Sequence, residues 1–432
     1  MRAEIRDQEL ISSTSSRQSS IDHCRVDFPV ISDKAVYLDS VATSLTPRPV
    51  IAALTEYYER YRANIHRGTY DLSMKASEKY ESALHNIGAF IGADFEELVV
   101  TMNATHALNL VALALPLKPG DEVVLSTLEH TSNLAPWALH VARKGIKLRF
   151  YHPGKLGVFD IDEFEKLLTE KTRLVSMTYI SNVLGTVVPV EQVARLCRDR
   201  GILYMIDAAQ AVPHLPIDVK KIDCDFMAFS GHKMLGPTGI GILYMKKPHA
   251  SRMIPPMLGG GTMEAAACTC SSLDAVGMTE CGFAPPPWKW QPGTPPIAEV
   301  LGLSAAVDYL RAIGLDQIAR RDQQLLQRAI DGIGQIRGVD IYGPANTKDR
   351  VGILSFNVAG MAPEDVGNLL NQEFEIYVRA GDHCAVQYFK EVQGRDLKGL
   401  GNVRASFYLY NTLEEVDRFV AAIDSIARRA RG

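Results

Sequence analysis

The sequence predicts an α/β protein: a large domain on a mostly parallel central sheet, followed by a smaller α+β domain. Three observations carry that prediction. From Val36 onward, short apolar runs alternate with stretches of helical periodicity, and the runs are apolar throughout, as strands covered on both faces require. The alternation stops at residues 262–296, which hold three cysteines, the triplet Pro285–Pro287 and two tryptophans, a composition that reads as a long loop. Two long helical patterns and a mixed set of strands and helices follow. The 432 residues allow several domains at roughly 100–200 residues each. We divide the chain into an N-terminal arm packing near the small domain (1–35), a large domain (36–296) and a small C-terminal domain (297–432).

Residues 1–25 are polar and Ser-rich and read as a loose arm. A short strand is expected at 36–38, and helices at 48–61 and 76–91, where Tyr and Leu recur at three- and four-residue spacing. Strands then fall at 98–102, 122–126, 147–151, 173–179, 203–206, 226–229 and 241–244. Helices lie between them at 105–115, 133–143, 161–168 and 190–200. The C-terminal part reads as helices at 297–312, 315–336, 364–371 and 413–428, with strands at 340–342, 352–358, 375–378 and 403–408. There is no internal repeat.

Composition narrows the function. Lys plus Arg number 46 and Asp plus Glu 50, a formal net charge of −4, which excludes a generally basic nucleic-acid coat. No apolar run approaches the roughly 20 residues of a membrane span. The first twenty residues lack the apolar core of a secretory signal. Seven cysteines, an odd number, do not make a disulfide scaffold, so a reducing, cytoplasmic setting is expected.

Three features sit at expected strand ends, where open α/β sheets place ligands. Lys233 follows the strand at 226–229 in Ser230-Gly231-His232-Lys233. It is either a solvated loop lysine or a desolvated amine able to form a Schiff base. Asp207 ends the strand at 203–206 and is either a helix N-cap or the partner of a cation. The turn Asn103-Ala104-Thr105 is either a plain βα turn with a Thr cap or an anion site at a helix N-terminus suited to phosphate. A Schiff-base lysine with a carboxylate and a phosphate turn is the set that pyridoxal 5'-phosphate needs.

Further blocks carry a resemblance: YLDSVATS (37–44), NIHRG (64–68), EHTSN (129–133), SNVLGT (181–186) and IDAAQAVPH (206–214), then DCDFMAFSGHKMLGPTGIGILY (223–244), GGG (259–261), PGTP (292–295), VRAGDHCA (378–385) and VRASFYLYNTLEEVD (403–417). Over roughly residues 30–428 the chain resembles the SUF-type cysteine desulfurases of the class V aminotransferase family, which are fold-type-I pyridoxal-phosphate enzymes. The resemblance implies a covalent aldimine of the cofactor on Lys233. It implies Asp207 on the ring nitrogen, Gln210 on the phenolic oxygen, and His130 stacked on the ring and assisting proton transfer. Ala104, Thr105, Ser230 and His232 form the phosphate cup, and Thr294 reaches it from the other subunit of a homodimer. Asn182 and Arg404 hold the substrate carboxylate, with Arg379 a further candidate. Cys384 matches the nucleophile; the alternative for this residue alone is a small buried hydrophobe. The implied reaction converts L-cysteine to L-alanine and leaves a persulfide on Cys384 for a sulfur-acceptor protein in iron–sulfur cluster assembly or another pathway. A selenocysteine lyase, or another class V carbon–sulfur lyase or aminotransferase, is the alternative. No partnership with nucleic acid or membrane is implied.

The sequence departs from that pattern around the substrate mouth. His106 follows the phosphate Thr where an acid is expected, Thr262 and Gln291 replace expected glutamates, and Val41 replaces an Ala. Asp382 precedes His383-Cys384, and AVQYFKEVQGRDLKGLGN places Arg404 twenty residues after Cys384, about five more than the family pattern leads one to expect. Cys268, Cys270 and Cys281 are either loop thiols without metal or, with one more ligand from elsewhere, a zinc or iron–sulfur site; three ligands fall short of a closed structural site, which favours the first reading. Cys24, Cys197 and Cys224 read as packing or surface residues.

Overall fold

The computed structural model describes residues 21–32, 34–264, 282–394 and 401–431. In chain order the elements are β1 (Val36–Tyr37), α1 (Arg48–Arg60), α2 (Asp71–Ile91), β2 (Leu98–Thr101), α3 (Ala104–Ala114), β3 (Glu122–Ser126), α4 (Thr131–Lys144), β4 (Lys147–Tyr151), α5 (Ile161–Glu165), β5 (Thr172–Thr178), α6 (Val190–Asp199) and β6 (Leu203–Asp207). They continue with α7 (Val219–Ile222), β7 (Phe226–Ser230), β8 (Gly241–Met245), α8 (Lys247–Arg252), α9 (Ile297–Ile313) and α10 (Leu315–Ile333). The last set is β9 (Val339–Tyr342), β10 (Ile353–Val358), α11 (Pro363–Phe374), β11 (Ile376–Tyr377), β12 (Arg379–Gly381), α12 (Val386–Gln393), β13 (Asn402–Ser406) and α13 (Leu413–Ala430).

The large sheet has seven strands in the order β2-β8-β7-β6-β5-β3-β4. Among these strands only β8 runs antiparallel to its neighbours. The residues of β2, β3, β7 and β8 are buried without exception, the reason their sequences show no polar alternation. A four-stranded antiparallel sheet, β12-β13-β10-β9, forms the smaller lobe, and β1 pairs with β11 beside it.

Packing connects segments on either side of residue 296. Helix α9 packs on α1 and α2, and its apolar residues Ile297 to Ile313 join the large core. Val36 and Leu38, early in the chain, join the small core with Phe356 and Phe407. The reason is geometric: β1 needs the edge offered by β11, and α9 needs the apolar faces of α1 and α2. The arm residues Cys24 and Phe28 are buried in the large core, and Arg25 pairs with Glu415 of α13 at 2.7 Å.

Helix α12 has no counterpart among the expected elements. Its N-cap, Ala385, offers no side-chain hydrogen bond, and it is eight residues long, so local propensity does not announce it. Tertiary packing makes it: Tyr388 and Phe389 are fully buried against Leu128, Val183 and Leu184. Each such burial contributes about 1.5–3 kcal/mol. Beyond α12 the Gln393 side chain accepts from the Gly401 amide and donates to the Gly401 carbonyl, both at 2.9 Å, tying the end of the helix to the start of β13.

One close approach fixes the sheet to the site. A Cβ on Gly241 would lie 2.6 Å from the backbone of Asn103, so β8 comes as near the α3 turn as only glycine allows. Gly241→Ala should cost about 1–3 kcal/mol in urea unfolding by forcing these backbones apart. An unchanged unfolding midpoint would mean that the turn gives way freely.

Candidate functional site

The carboxyl ends of the large sheet face the smaller lobe across a cavity of about 450 Å³. Its lining includes Lys233, Asp207, Gln210, His130, Ala104, Thr105, Ser230, His232, Asn182, Arg404, Arg379 and Cys384. The fold thus brings together every expected site residue except Thr294. That residue is exposed, with its hydroxyl 3.4 Å from Asn64 Oδ1, outside this cavity. The three cysteines at 268, 270 and 281 fall outside the described residues. Among the described residues no group of His, Cys, Asp or Glu is disposed to hold a metal ion.

Lys233 closes a 3-10 turn that leaves β7, and it is half-buried in the wall of the cavity. Burial pushes its pKa below the ordinary lysine value, while Asp207 pulls it back up. Asp207 ends β6, and its Oδ1 accepts from the Ala209 amide at 3.0 Å. Gln210 donates from Nε2 to the Val41 carbonyl at 2.9 Å, which ties it to the loop after β1.

The anion turn is built from several elements. Asn103 caps α3 by accepting from the His106 amide at 2.9 Å. The Ala104 amide donates to Ser230 Oγ at 2.9 Å, joining α3 to β7. Thr105 Oγ1 lies 2.7 Å from Ser132 Oγ, bringing a second hydroxyl into the turn. His232 lies beside Thr43, and burial holds its pKa down at about 4, so it is neutral. His106 places Nδ1 against the Met102 amide at 3.2 Å and is itself held neutral by burial.

His130 is the N-cap of α4. Its Nδ1 accepts from the Ser132 amide at 3.1 Å, which leaves Nε2 carrying the proton of the neutral ring. Burial, followed by the nearby Lys233, lowers its pKa. Behind it Glu129 is fully buried, accepting from Ser126 Oγ at 2.5 Å and Asn133 Nδ2 at 2.7 Å. Burial raises its pKa to about 8.

On the smaller lobe, Arg404 is buried on β13. Its Nη1 donates to the Asn182 carbonyl at 3.0 Å, its Nη2 lies 3.5 Å from Asp39, and its Nε has no partner among the described residues. Burial lowers its pKa to about 10, so it stays charged at neutral pH. Asp39 also binds Arg379, with Nη2 to Oδ2 at 2.7 Å. One carboxylate therefore aims two guanidiniums and leaves a net positive charge for an incoming carboxylate.

Cys384 is exposed, whereas Cys24, Cys197 and Cys224 are buried. It and His383 both have left-handed backbone, with φ of 55° and 49°. That conformation costs about 1–2 kcal/mol per non-glycine residue and persists where surroundings over-determine it. The Cys384 carbonyl accepts from the Thr131 amide at 2.7 Å and Thr131 Oγ1 at 2.9 Å, its amide donates to Asp382 Oδ1 at 3.1 Å, and Asn182 Nδ2 donates to the His383 carbonyl at 2.8 Å. Asn182 therefore couples Arg404 to the Cys384 turn. Chemically, the cavity offers a half-buried amine, a facing carboxylate, an anion turn, a cation for a carboxylate and an accessible thiol.

Sequence reading misses Asp39, Ser132 and His383 as site residues. Asp39 lies inside the block YLDSVATS, but its pairing with two arginines more than 300 residues away has no local signal. Ser132 has one, a hydroxyl in the first turn of a helix beside an expected anion site.

Comparison with known proteins gives a consistent picture. Residues 36–419 match the class-V aminotransferase family. A probable cysteine desulfurase of Pyrococcus abyssi is 41% identical over 410 residues, covering 94% of this chain and 98% of its own length. A cysteine desulfurase of Escherichia coli is 39% identical, covering 95% and 98%. Among solved structures, the apo cysteine desulfurase of Thermococcus onnurineus superimposes with a TM-score of 0.87 at 40% identity, covering 94% of this chain and 98% of its own.

Glu129 generates a test. Its folded carboxyl holds a proton that the unfolded chain loses near the ordinary 4.5, so stability falls as pH rises from there through about 8. Glu129→Gln removes that titration, so it should gain stability relative to the parent between about pH 5.5 and pH 8.5 in urea unfolding. An identical difference at both pH values would show that Glu129 does not hold the proton.

Proposed function

The chain belongs to the class-V aminotransferase family and, within it, to the cysteine desulfurases; we propose that it moves the sulfur of L-cysteine onto Cys384 and releases L-alanine, with pyridoxal 5'-phosphate joined to Lys233. The observation that carries this reading is that exposed Cys384 and half-buried Lys233 line one cavity with Arg404 between the lobes.

The residues fit the cofactor. Lys233, its pKa lowered by burial, is a nucleophilic amine suited to an aldehyde. Asp207 is the carboxylate for a protonated ring nitrogen, and Gln210 and His130 flank the same space. The Ala104–Thr105 turn would take the phosphate with Ser230, His232 and Ser132, all of which line the cavity. The bound cofactor supplies an electron sink that lets the substrate's α-proton leave and polarises its carbon–sulfur bond.

The chain's own residues do the rest. Arg404, with an unpaired buried Nε, receives the substrate carboxylate beside Arg379 and Asn182. Lys233 Nζ takes the α-proton and returns it. The Cys384 thiolate forms a sulfur–sulfur bond with the substrate sulfur as the carbon–sulfur bond breaks, and that bond's electron pair leaves with the carbon skeleton. Protonation of the skeleton yields alanine, and the outer sulfur remains as a persulfide. Exposure of Cys384 suits delivery to a sulfur-acceptor protein, in iron–sulfur cluster assembly or another sulfur pathway.

We further propose a cytoplasmic homodimer. In that dimer Thr294 would serve the phosphate turn of the other copy, a reading supported by its being exposed and outside its own cavity. No described helix is long and apolar enough to cross a membrane.

Alanine release from L-cysteine in the presence of a thiol reductant tests the reading. Cys384→Ala and Lys233→Ala should each abolish it, and borohydride should fix the cofactor's mass on the peptide containing Lys233. Full alanine release by Cys384→Ala would replace this reading with direct elimination of sulfide. Arg404→Lys loses the planar fork, so KM for cysteine should rise about tenfold or more, with a smaller change in kcat. An unchanged KM would remove Arg404 from substrate binding.

A further inference from the structure

The polypeptide after Cys384 is helical almost at once, and α12 is anchored to the large lobe at several points. Glu391, in the last turn of the helix, accepts at Oε2 from Thr127 Oγ1 at 2.6 Å and lies 3.2 Å from His152 Nδ1. Thr127 and His152 are the residues immediately after β3 and β4, two adjacent parallel strands. Tyr388 donates from its hydroxyl to the Lys155 carbonyl at 2.8 Å, and its ring lies in the apolar cluster with Leu128 and Val183. Helix α12 therefore lies across the carboxyl ends of β3, which leads into His130, and of its neighbour β4.

We propose that Glu391 is a positioning residue for Cys384: by clasping Thr127 and His152, it fixes the helix that follows the nucleophile against β3 and β4. The proposal deepens the desulfurase reading and rests on it.

Cys384 is then held from both sides. On one side its carbonyl is bound by Thr131, three residues beyond Leu128, and the His383 carbonyl by Asn182. On the other side only Ala385 separates it from α12, so any slide of the helix is transmitted to the thiol. The two holds converge on one stretch of chain, since Thr127 and Leu128 belong to the β3–α4 connection that also bears His130, and Thr131 opens α4 directly after it. Attack on a bound sulfur requires atoms aligned at near contact, and a misplacement of about 1 Å can cost about a hundredfold. Glu391 touches neither the cavity nor any residue assigned to the cofactor, so its effect should appear in the sulfur step alone. The bland alternative is a surface carboxylate that only adds solubility.

The test uses the full-length holoenzyme with Glu391→Ala, Glu391→Gln and Thr127→Val. Amide hydrogen exchange over residues 385–393 should quicken about tenfold in Glu391→Ala, with the rest of the chain unchanged. In the same variant kcat for alanine release should fall about tenfold, while KM for cysteine and the cofactor's absorption band stay within about twofold. Glu391→Gln, whose amide oxygen still accepts from Thr127, should restore both measurements, and Thr127→Val should reproduce the loss. The proposal is overturned if kcat is unchanged although exchange quickens, or if Glu391→Gln is as impaired as Glu391→Ala. It is also overturned if KM and the absorption band change together with kcat, which would indicate general distortion. A parent enzyme that releases no alanine from cysteine sinks the desulfurase reading itself, an outcome told apart by the parent's own assay.

Discussion

Lys233 is a partly desolvated amine at the end of β7, and the large lobe is organised around making that desolvation tolerable. An isolated buried ammonium costs several kcal/mol, so the site either compensates the charge or gives it up. Asp207 offers compensation from the next strand, while burial favours loss of the proton. Each neighbouring histidine is kept neutral: His130, His232 and His383 all have lowered pKa values, His383 at about 3. Cationic imidazoles here would compete with Lys233 for the one carboxylate. Neutral rings can instead donate and accept hydrogen bonds without disturbing the local charge balance.

The parallel sheet supplies the means. Strands β5, β6 and β7 end side by side, so their terminal residues converge from distant parts of the chain without a long loop. The antiparallel β8 brings Gly241 under the α3 turn and lets a helix N-terminus reach the same point. The second lobe contributes what the sheet does not, a buried arginine and an accessible thiol. Asp39 organises the smaller lobe's side of the site: it lies just after β1, pairs through the backbone with Ser406, and meets both arginines through its side chain.

The legible part of this molecule is the part whose stability is local or repetitive. Core strands such as Leu98–Thr101, Leu203–Asp207 and Phe226–Ser230 announce themselves as apolar runs because both of their faces are covered. Lys233, Asp207 and the Asn103–Thr105 turn are readable because strand ends in such sheets are where ligands sit. Helix α12 is not readable, because Tyr388 and Phe389 gain their value only against Leu128 and Leu184, far away in sequence. The packing of α9 is hidden for a similar reason: nothing within Ile297–Ile313 states that its partner faces are α1 and α2. The two guanidiniums on Asp39 likewise meet only after three separate strands are in place.

The Gln393–Gly401 contact works as a rivet. A side-chain amide there imitates a backbone pair, while Gly401 sits so near Gly381 that a Cβ would meet its carbonyl at 2.2 Å. The end of α12 is thus fastened to the start of β13, and that start is pressed against β12. Any residue with a Cβ at 401 would have to prise the two backbones apart, so this crossing sets their spacing much as a pin sets the gap between two plates.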